Sequence, residues 1–390
     1  MNIVPNTYEY FSHKRVIFGK PLAESVSEEL DHHDARKVFV ISTRSLSQKT
    51  DVVSELQRVL GNKFGGLFDQ VVSHVPRAVG IAATEHARSI KPDLIISIGG
   101  GSAIDTGKLV QICLAENIKT TEELDRFRVV TDSNGASHVP IIKTSGIRQL
   151  VIPTTLSGAE WSHTTGSTDD ERGIKDIYIQ SDLAAPGILL VPEILKHTPL
   201  DIWLTSGFRG VDHAIGSLVS KNAHPFTNST TAEGLRMLNR SLRATKNDPD
   251  NVEHRFESLI ALWLASTGMM RMQYGASHGL SWHLSAVADV AHGHCSCVLI
   301  PATLRFNKAY TIDAQRQISE ILGQPDVEAA DAVLDLIRAL DLPEKMQEVG
   351  IRREHLGKIA NDAMGNLLVR NNCRPITSVD DVMEILEMAF

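Results

Sequence analysis

The sequence predicts a chain in two parts, an α/β unit built on a parallel sheet followed by an all-helical unit. Residues 37–42 and 93–98 are short, continuously apolar, β-branched runs of the kind expected of strands covered on both faces. Between them, residues 54–60 and 79–90 repeat their apolar positions at helical spacing, and strand–helix alternation implies parallel pairing. Beyond Pro192 the amphipathic segments all carry the helical period.

Taken in order, residues 8–18 read as an extended segment, a hairpin or an edge strand. Residues 150–153 resume the sheet after a polar stretch over 118–147, in which Asp132-Ser133-Asn134-Gly135 marks a turn. Helices are expected over 204–220, 230–245, 253–273, 275–288, 312–322, 327–340 and 379–388, with breaks at Pro225, Pro301, Pro325 and Pro343. The change of character places a domain boundary near residue 190, giving units over 1–190 and 191–390.

With 42% hydrophobic and 22% charged residues, the 390-residue chain has ample core for two domains and is not disordered. A net charge of −8 argues against nucleic acid or an anionic membrane surface as a partner. Four scattered cysteines, Cys113, Cys295, Cys297 and Cys373, do not make a disulfide framework. No apolar run reaches about 18 residues, the length of a membrane span, and no signal peptide is evident. A cytoplasmic protein acting on a small molecule is expected, and the N-terminal extended segment offers an edge for a homodimer.

The first motif with chemistry follows the strand at 93–98. Gly99, Gly100 and Gly101 let the backbone turn sharply and approach a bulky anion, and the helix starting near Ser102 aims its positive end at the same place. Ser102 is expected to cap that helix or donate to a phosphate, with Asp105 and Lys108 on successive turns. This is a pyrophosphate cradle, though its spacing is neither a Walker loop nor a GxGxxG fingerprint. A second loop after a strand, Pro153-Thr154-Thr155-Leu156-Ser157-Gly158-Ala159-Glu160, supplies two hydroxyls and a glycine suited to ribose or phosphate.

These segments, in this order, resemble the iron-containing (group III) alcohol dehydrogenase family. The resemblance continues through Ser206-Gly207 to His213-Ala214-Ile215, His278-Gly279-Leu280, His292-Gly293 and Asn372-Cys373-Arg374-Pro375. It implies a dehydroquinate-synthase-like fold, with a Rossmann-like dinucleotide-binding domain, an all-α substrate domain and a cleft between them. It further implies NAD or NADP, and hydride transfer between nicotinamide and a carbonyl or alcohol. Gly99, Gly100, Gly101, Ser102 and Asp105 would then hold the coenzyme, with Thr43, Thr154, Thr155 and Leu156 beside it.

At the ligand positions the resemblance is uneven. His213, His278 and His292 match the family's metal histidines, but the acidic ligand one turn before His213 is replaced by Arg209. Asp212, next to His213, points about 100° around the helix and does not stand in for it as a ligand. Three imidazoles can hold Fe or Zn, yet a guanidinium within 4–5 Å of a divalent ion is repulsive by roughly several kcal/mol. The preferred expectation is therefore that Arg209 binds a substrate carboxylate or the developing oxyanion, while the histidines position and protonate the substrate. Maleylacetate reductases, the metal-independent branch of the family, are similar in this respect. The alternative for Arg209 is a plain ion pair, with Asp212 or with a neighbouring domain. A further family histidine falls on Trp282, with His283 beside it; Trp282 is read as pocket wall or core packing.

At the end of the strand at 37–42, Thr43 occupies the position of an acidic residue that selects against NADP, and Arg44 follows it, so NADPH is expected to serve at least as well as NADH. The leading reading is an NAD(P)-dependent reductase of an oxo-acid such as maleylacetate. A metal-dependent alcohol dehydrogenase is the first alternative. A nonredox lyase or synthase, or a catalytically silent dinucleotide-binding protein, is the second.

Overall fold

The computed structural model describes Tyr10 and residues 13–131 and 137–390. It divides into an α/β unit ending at Thr198 and a helical unit, Pro199–Phe390. The turn expected at Asp132-Ser133-Asn134-Gly135, and residues 8, 9, 11 and 12 of the extended segment, lie outside the described residues.

In the α/β unit the elements run β1 (Arg15–Phe18), α1 (Leu22–His32), β2 (Val38–Thr43), α2 (Arg44–Lys49), α3 (Val52–Leu60), β3 (Phe64–Val71), α4 (Arg77–Ile90), β4 (Leu94–Gly99), α5 (Gly101–Ala115), β5 (Val130–Thr131), β6 (Ser137–His138), β7 (Arg148–Pro153), β8 (Thr164–Asp169), β9 (Ile174–Ile179) and β10 (Gly187–Leu190). Six strands form one parallel sheet in the order β1-β10-β7-β4-β2-β3; β5–β6 and β8–β9 are separate antiparallel pairs. β1 is an edge strand paired in parallel with β10, not a hairpin arm.

β2 and β4 are buried along their length except Thr43, which is why their sequences lack the alternation of a half-exposed strand. α4 and α5 cover the sheet, joining Ala83, Ala87, Ile90, Ala103 and Val110 to Phe39, Ile41 and Ile95 in one core. From β2 the chain moves outward to β3, then returns to the other side of β2 at β4 and continues to β7. The strand order therefore reverses between β2 and β4, the point at which open α/β sheets bind ligands outside the carboxyl ends of their strands.

The helical unit comprises α6 (Leu200–Leu218), α7 (Pro225–Asn247), α8 (Val252–Ala265), α9 (Ala276–Ala288), α10 (His292–Asn307), α11 (Ile312–Ile321), α12 (Ala329–Ala339), α13 (Arg353–Ala363), α14 (Leu367–Arg370) and α15 (Val379–Ala389). Pro301 does not break α10. It lies inside the helix, whose wall-to-wall burial against α6, α9, α12 and α15 offsets the missing hydrogen bond. α8 stops at Ala265, earlier than its apolar spacing suggests, because Ser266-Thr267-Gly268 forms a 3-10 turn of weak helix formers. Among the described residues no helix is long and apolar enough to cross a membrane.

Candidate active site

Two constellations stand out, one in each unit. In the α/β unit the site lies at the strand reversal. Ile41 is in register with Ser97, so Thr43 and Gly99 end their strands at the same level. Ser42 Oγ donates to Ile98 O at 3.0 Å and Thr154 N to Gly99 O at 2.9 Å, drawing the ends of β2, β4 and β7 together. Gly99 has φ 149°, and a Cβ there would sit 3.0 Å from Ala103 Cβ, so glycine lets the chain turn into α5 without a side chain over the helix end. Gly100 lies against Thr155 and Gly101 against Ser157.

Gly100 is the N-cap of α5 and no side chain caps it. Ser102 is thus within the first turn rather than capping it; Ala103 N and Ile104 N close onto Gly100 O, which leaves the N–H groups of Gly101 and Ser102 at the helix start without intrahelical partners, as an anion cradle needs. Thr43 caps α2 through its hydroxyl, 3.4 Å from Leu46 N, and Arg44 is exposed. Leu156 is fully buried, so its side chain packs in the protein and does not line a ligand surface.

Asp105 and Lys108 prove to be tied to the protein. Lys108, fully buried, donates to Ala159 O (2.7 Å), Ser162 Oγ (3.1 Å) and Thr164 O (2.8 Å), and its Nζ is 3.8 Å from Asp105. Lys175, packed over Gly166, faces Asp105 as a second cation. Burial raises the Asp105 carboxyl against both lysines. Glu160, at the end of the Pro-Thr-Thr loop, is wholly buried, neither carboxylate oxygen has a hydrogen-bond partner, and burial pushes it up to about 7. The sequence places it in that loop but gives its carboxylate no role.

In the helical unit the centre is Asp212 on α6, 1% exposed. Its Oδ2 accepts from Arg209 Nη1 at 2.8 Å and Ser296 Oγ at 2.6 Å; its Oδ1 accepts from Ser277 Oγ at 3.0 Å and lies 3.3 Å from His278 Nδ1. His278 Nε2 is in turn 3.1 Å from His213 Nδ1. Arg209 Nη1 also donates to Ser296 Oγ at 3.0 Å. Tyr274 stacks on His278, with centroids 4.1 Å apart and planes 10° apart, and its hydroxyl is 3.3 Å from Ser217 Oγ, which donates to His213 O.

Three helices are thereby joined at one carboxylate: α6 by Arg209, Asp212 and His213, α9 by Ser277 and His278, α10 by Ser296. Burial, then the Arg209 charge, hold His278 well below the ordinary imidazole range, so it is neutral. The ion pair with Asp212 considered for Arg209 is present, made through Nη1; both hydrogen bonds of the guanidinium, to Asp212 and Ser296, leave from that nitrogen, and 13% of the side chain is exposed.

The sequence places His292 in the loop that follows the helix begun by His278, but it is the first residue of α10, and its Nδ1 is 3.4 Å from Ser285 Oγ. Gly293 beside it lets α10 meet α6, since a Cβ there would lie 1.9 Å from Thr205 O. Trp282 is 40% exposed and is not core packing. His283 Nε2 lies 3.3 Å from Asn366 Nδ2.

The donor set does not fit the iron or zinc site that the resemblance implies. A guanidinium stands at the acidic ligand's position, and His292 faces Ser285. Among the described residues, Asp125, Asp169 and Asp176 are the only three His, Cys, Asp or Glu groups whose ligand atoms all lie within 4.8 Å of one another. Those carboxylates are neutralised by Arg77 and Arg172.

The family model described as iron-containing alcohol dehydrogenase matches residues 13–192, and that of the C-terminal part of the same family matches residues 204–390. Dehydrogenase ALT3 of Alternaria alternata is 28% identical, over 90% of this chain and 98% of that protein. Maleylacetate reductase of Sphingobium indicum is 27% identical, over 96% and 95%. The solved maleylacetate reductase of Agrobacterium tumefaciens shares the fold with a TM-score of 0.82 at 23% identity, covering 100% of this chain and 99% of that one.

Proposed function

The chain belongs to the iron-containing alcohol dehydrogenase family, and from that premise we propose that it is an NAD(P)-dependent reductase of a small oxo-acid, working without a metal ion. That it is an oxidoreductase follows from the family. The finer reading rests on one observation, Arg209 in place of the acidic ligand with Nη1 committed to Asp212.

Nε and Nη2 are the edge left for a substrate. A guanidinium edge matches a carboxylate in two parallel hydrogen bonds, so the preferred ligand carries its own negative charge. Thr43, Gly99–Ser102 and the Thr154–Thr155 loop would hold the coenzyme, which when bound supplies the hydride. Arg209 fixes the carboxylate and the His213 imidazole, held by His278, faces the carbonyl oxygen, to which it delivers a proton as negative charge develops.

A screen of NADPH and NADH oxidation over aldehydes, ketones and oxo-acids, with and without chelator, tests this. Turnover of carboxylated carbonyls, undiminished by chelator, is expected. Stoichiometric bound iron or zinc whose removal abolishes turnover would overturn the metal-free reading, and consumption of substrate without net coenzyme oxidation would point to a lyase or synthase.

A further inference from the structure

A neighbour of His213 on α6 is joined to more of the site than any of the histidines. Asp212 accepts three hydrogen bonds, from Arg209, Ser296 and Ser277, and is in close contact with His278. An ionised carboxylate offers only lone pairs. A nitrogen 3.3 Å from its Oδ1 has to be the protonated one, because two lone pairs facing each other at that separation repel. His278 therefore carries its hydrogen on Nδ1, which leaves Nε2 as an acceptor. The nitrogen facing Nε2 at 3.1 Å is His213 Nδ1, and by the same reasoning it is the donor. The polarity then runs one way through two rings and leaves Nε2 as the unprotonated nitrogen of His213.

We propose that Asp212 is the positioning residue of the site. It holds Arg209 by Nη1, so that the Nε/Nη2 edge is the one presented to a substrate, and it sets both imidazoles in the Nδ1–H tautomer, so that His213 Nε2 is the nitrogen that exchanges a proton with substrate oxygen. This rests on the oxo-acid reductase reading for its catalytic meaning, though not for its geometry. Ser277 and Ser296 keep the carboxylate in place: each spends its hydroxyl hydrogen on one oxygen, and Ser296 also accepts from Arg209. The stack of Tyr274 on His278 holds the ring plane, so the tautomer rather than ring rotation is what Asp212 decides. In reduction the balance is simple. Hydride adds to the carbonyl carbon, the C=O π pair moves to oxygen, and that oxygen takes a proton that His213 has first gained from solvent at Nε2; the ring passes through the imidazolium, keeps its Nδ1–H on His278, and returns to the neutral Nδ1–H tautomer.

Asp212→Asn reverses the polarity. Arg209 and Ser296 both donate, so the amide oxygen turns to them and the amide nitrogen, a donor, faces His278 Nδ1. His278 then becomes the Nε2–H tautomer and His213 follows. Nitrogen-15 NMR of ring-labelled histidine reads this in the whole protein, with His213→Gln assigning that residue's signals. The expected wild-type result is Nδ1–H at both His213 and His278, switching to Nε2–H in Asp212→Asn. The kinetic arm expects kcat to fall about 10–100-fold, as for loss of a group that orients a working imidazole, with the coenzyme KM unchanged.

An Nε2–H tautomer at His278 in the wild type overturns the proposal, and this measurement stands even where the Asn variant does not fold. A folded Asn variant with unchanged tautomers, or unchanged kcat on a substrate the wild type turns over, overturns it as well. The expected tautomers in a protein with no reductase activity would leave the Asp212 arrangement standing and remove the oxo-acid reading alone.

Discussion

Arg209→Lys separates the two tasks assigned to the guanidinium. A lysine ammonium can follow the path of Nη1 toward Asp212 Oδ2, now 2.8 Å from the guanidinium, but it cannot at the same time offer a second, parallel pair of donors. Asp212 is 1% exposed, so deleting the cation outright would leave a buried charge unpaired at a cost of about 3–5 kcal/mol. Lysine avoids most of that, and a stability change of roughly 1 kcal/mol is expected. The outer edge is lost: two charge-assisted hydrogen bonds at about 1.5 kcal/mol each or more correspond to about a hundredfold in kcat/KM. The assay is coenzyme oxidation with a matched pair of substrates, an oxo-acid and the carbonyl compound lacking its carboxylate. The expected result is a loss of about a hundredfold for the first and less than about threefold for the second. Equal losses would show that Arg209 acts at the carbonyl instead, and no loss for either would reduce it to the Asp212 ion pair; each refutes the reasoning.

Glu160, raised from its ordinary 4.5 to about 7 by burial, keeps its proton in the fold over a pH range in which the unfolded chain has lost it. Stability from this group is full below pH 4.5 and declines as pH rises to 7, by about 3 kcal/mol at 1.36 kcal/mol per pH unit; denaturant titrations of wild type and Glu160→Gln across that range should differ by that slope, and parallel curves would exclude a buried neutral acid. Arg44→Ala should raise the KM for NADPH about tenfold, the equivalent of one ion pair at about 1.4 kcal/mol, and leave that for NADH alone; an equal effect on both would mean that Arg44 does not meet a 2′-phosphate. Gly293→Ala, placing a methyl 1.9 Å from the Thr205 carbonyl, should cost about 3 kcal/mol or more by overpacking, read as a lower melting temperature; an unchanged melt would show that α10 shifts freely against α6.

The parts of the fold legible in the sequence were those whose burial is complete. β2 and β4 are covered on both faces, so their runs are unbroken, and the glycine loop follows β4 directly. β3 contains Gly65 and Gly66, β8 is Thr-Thr-Gly-Ser-Thr-Asp, and β10 has four residues after Pro186; each takes its extended form from its neighbours rather than from propensity. α10 was obscured by Pro301, whose cost is met by contacts distant in sequence. In the site, His213 and His278 were found by spacing along the chain. Ser277, Ser296 and Tyr274 carried no signal, because a serine's meaning lies in what stands opposite it, here a carboxylate 65 or 84 positions away.

Asp212 is the instructive case. Its displacement of about 100° from His213 on the helix does prevent the two from meeting at one point, as ligands of a single ion must. An imidazole is not a point. His278, arriving from α9, has two nitrogens on different sides of its ring, and it meets Asp212 with Nδ1 and His213 with Nε2. The separation that disqualifies a metal ligand is what allows one ring to bridge both residues. Arg209, three positions before Asp212 and four before His213, lies one turn back on the same stripe and neutralises the carboxylate from its other oxygen. A carboxylate at the position of Arg209 would draw a cation toward His213. At the position of Asp212 it draws the guanidinium and His278 together instead, and the charge left over for a substrate is positive only along the free edge of Arg209.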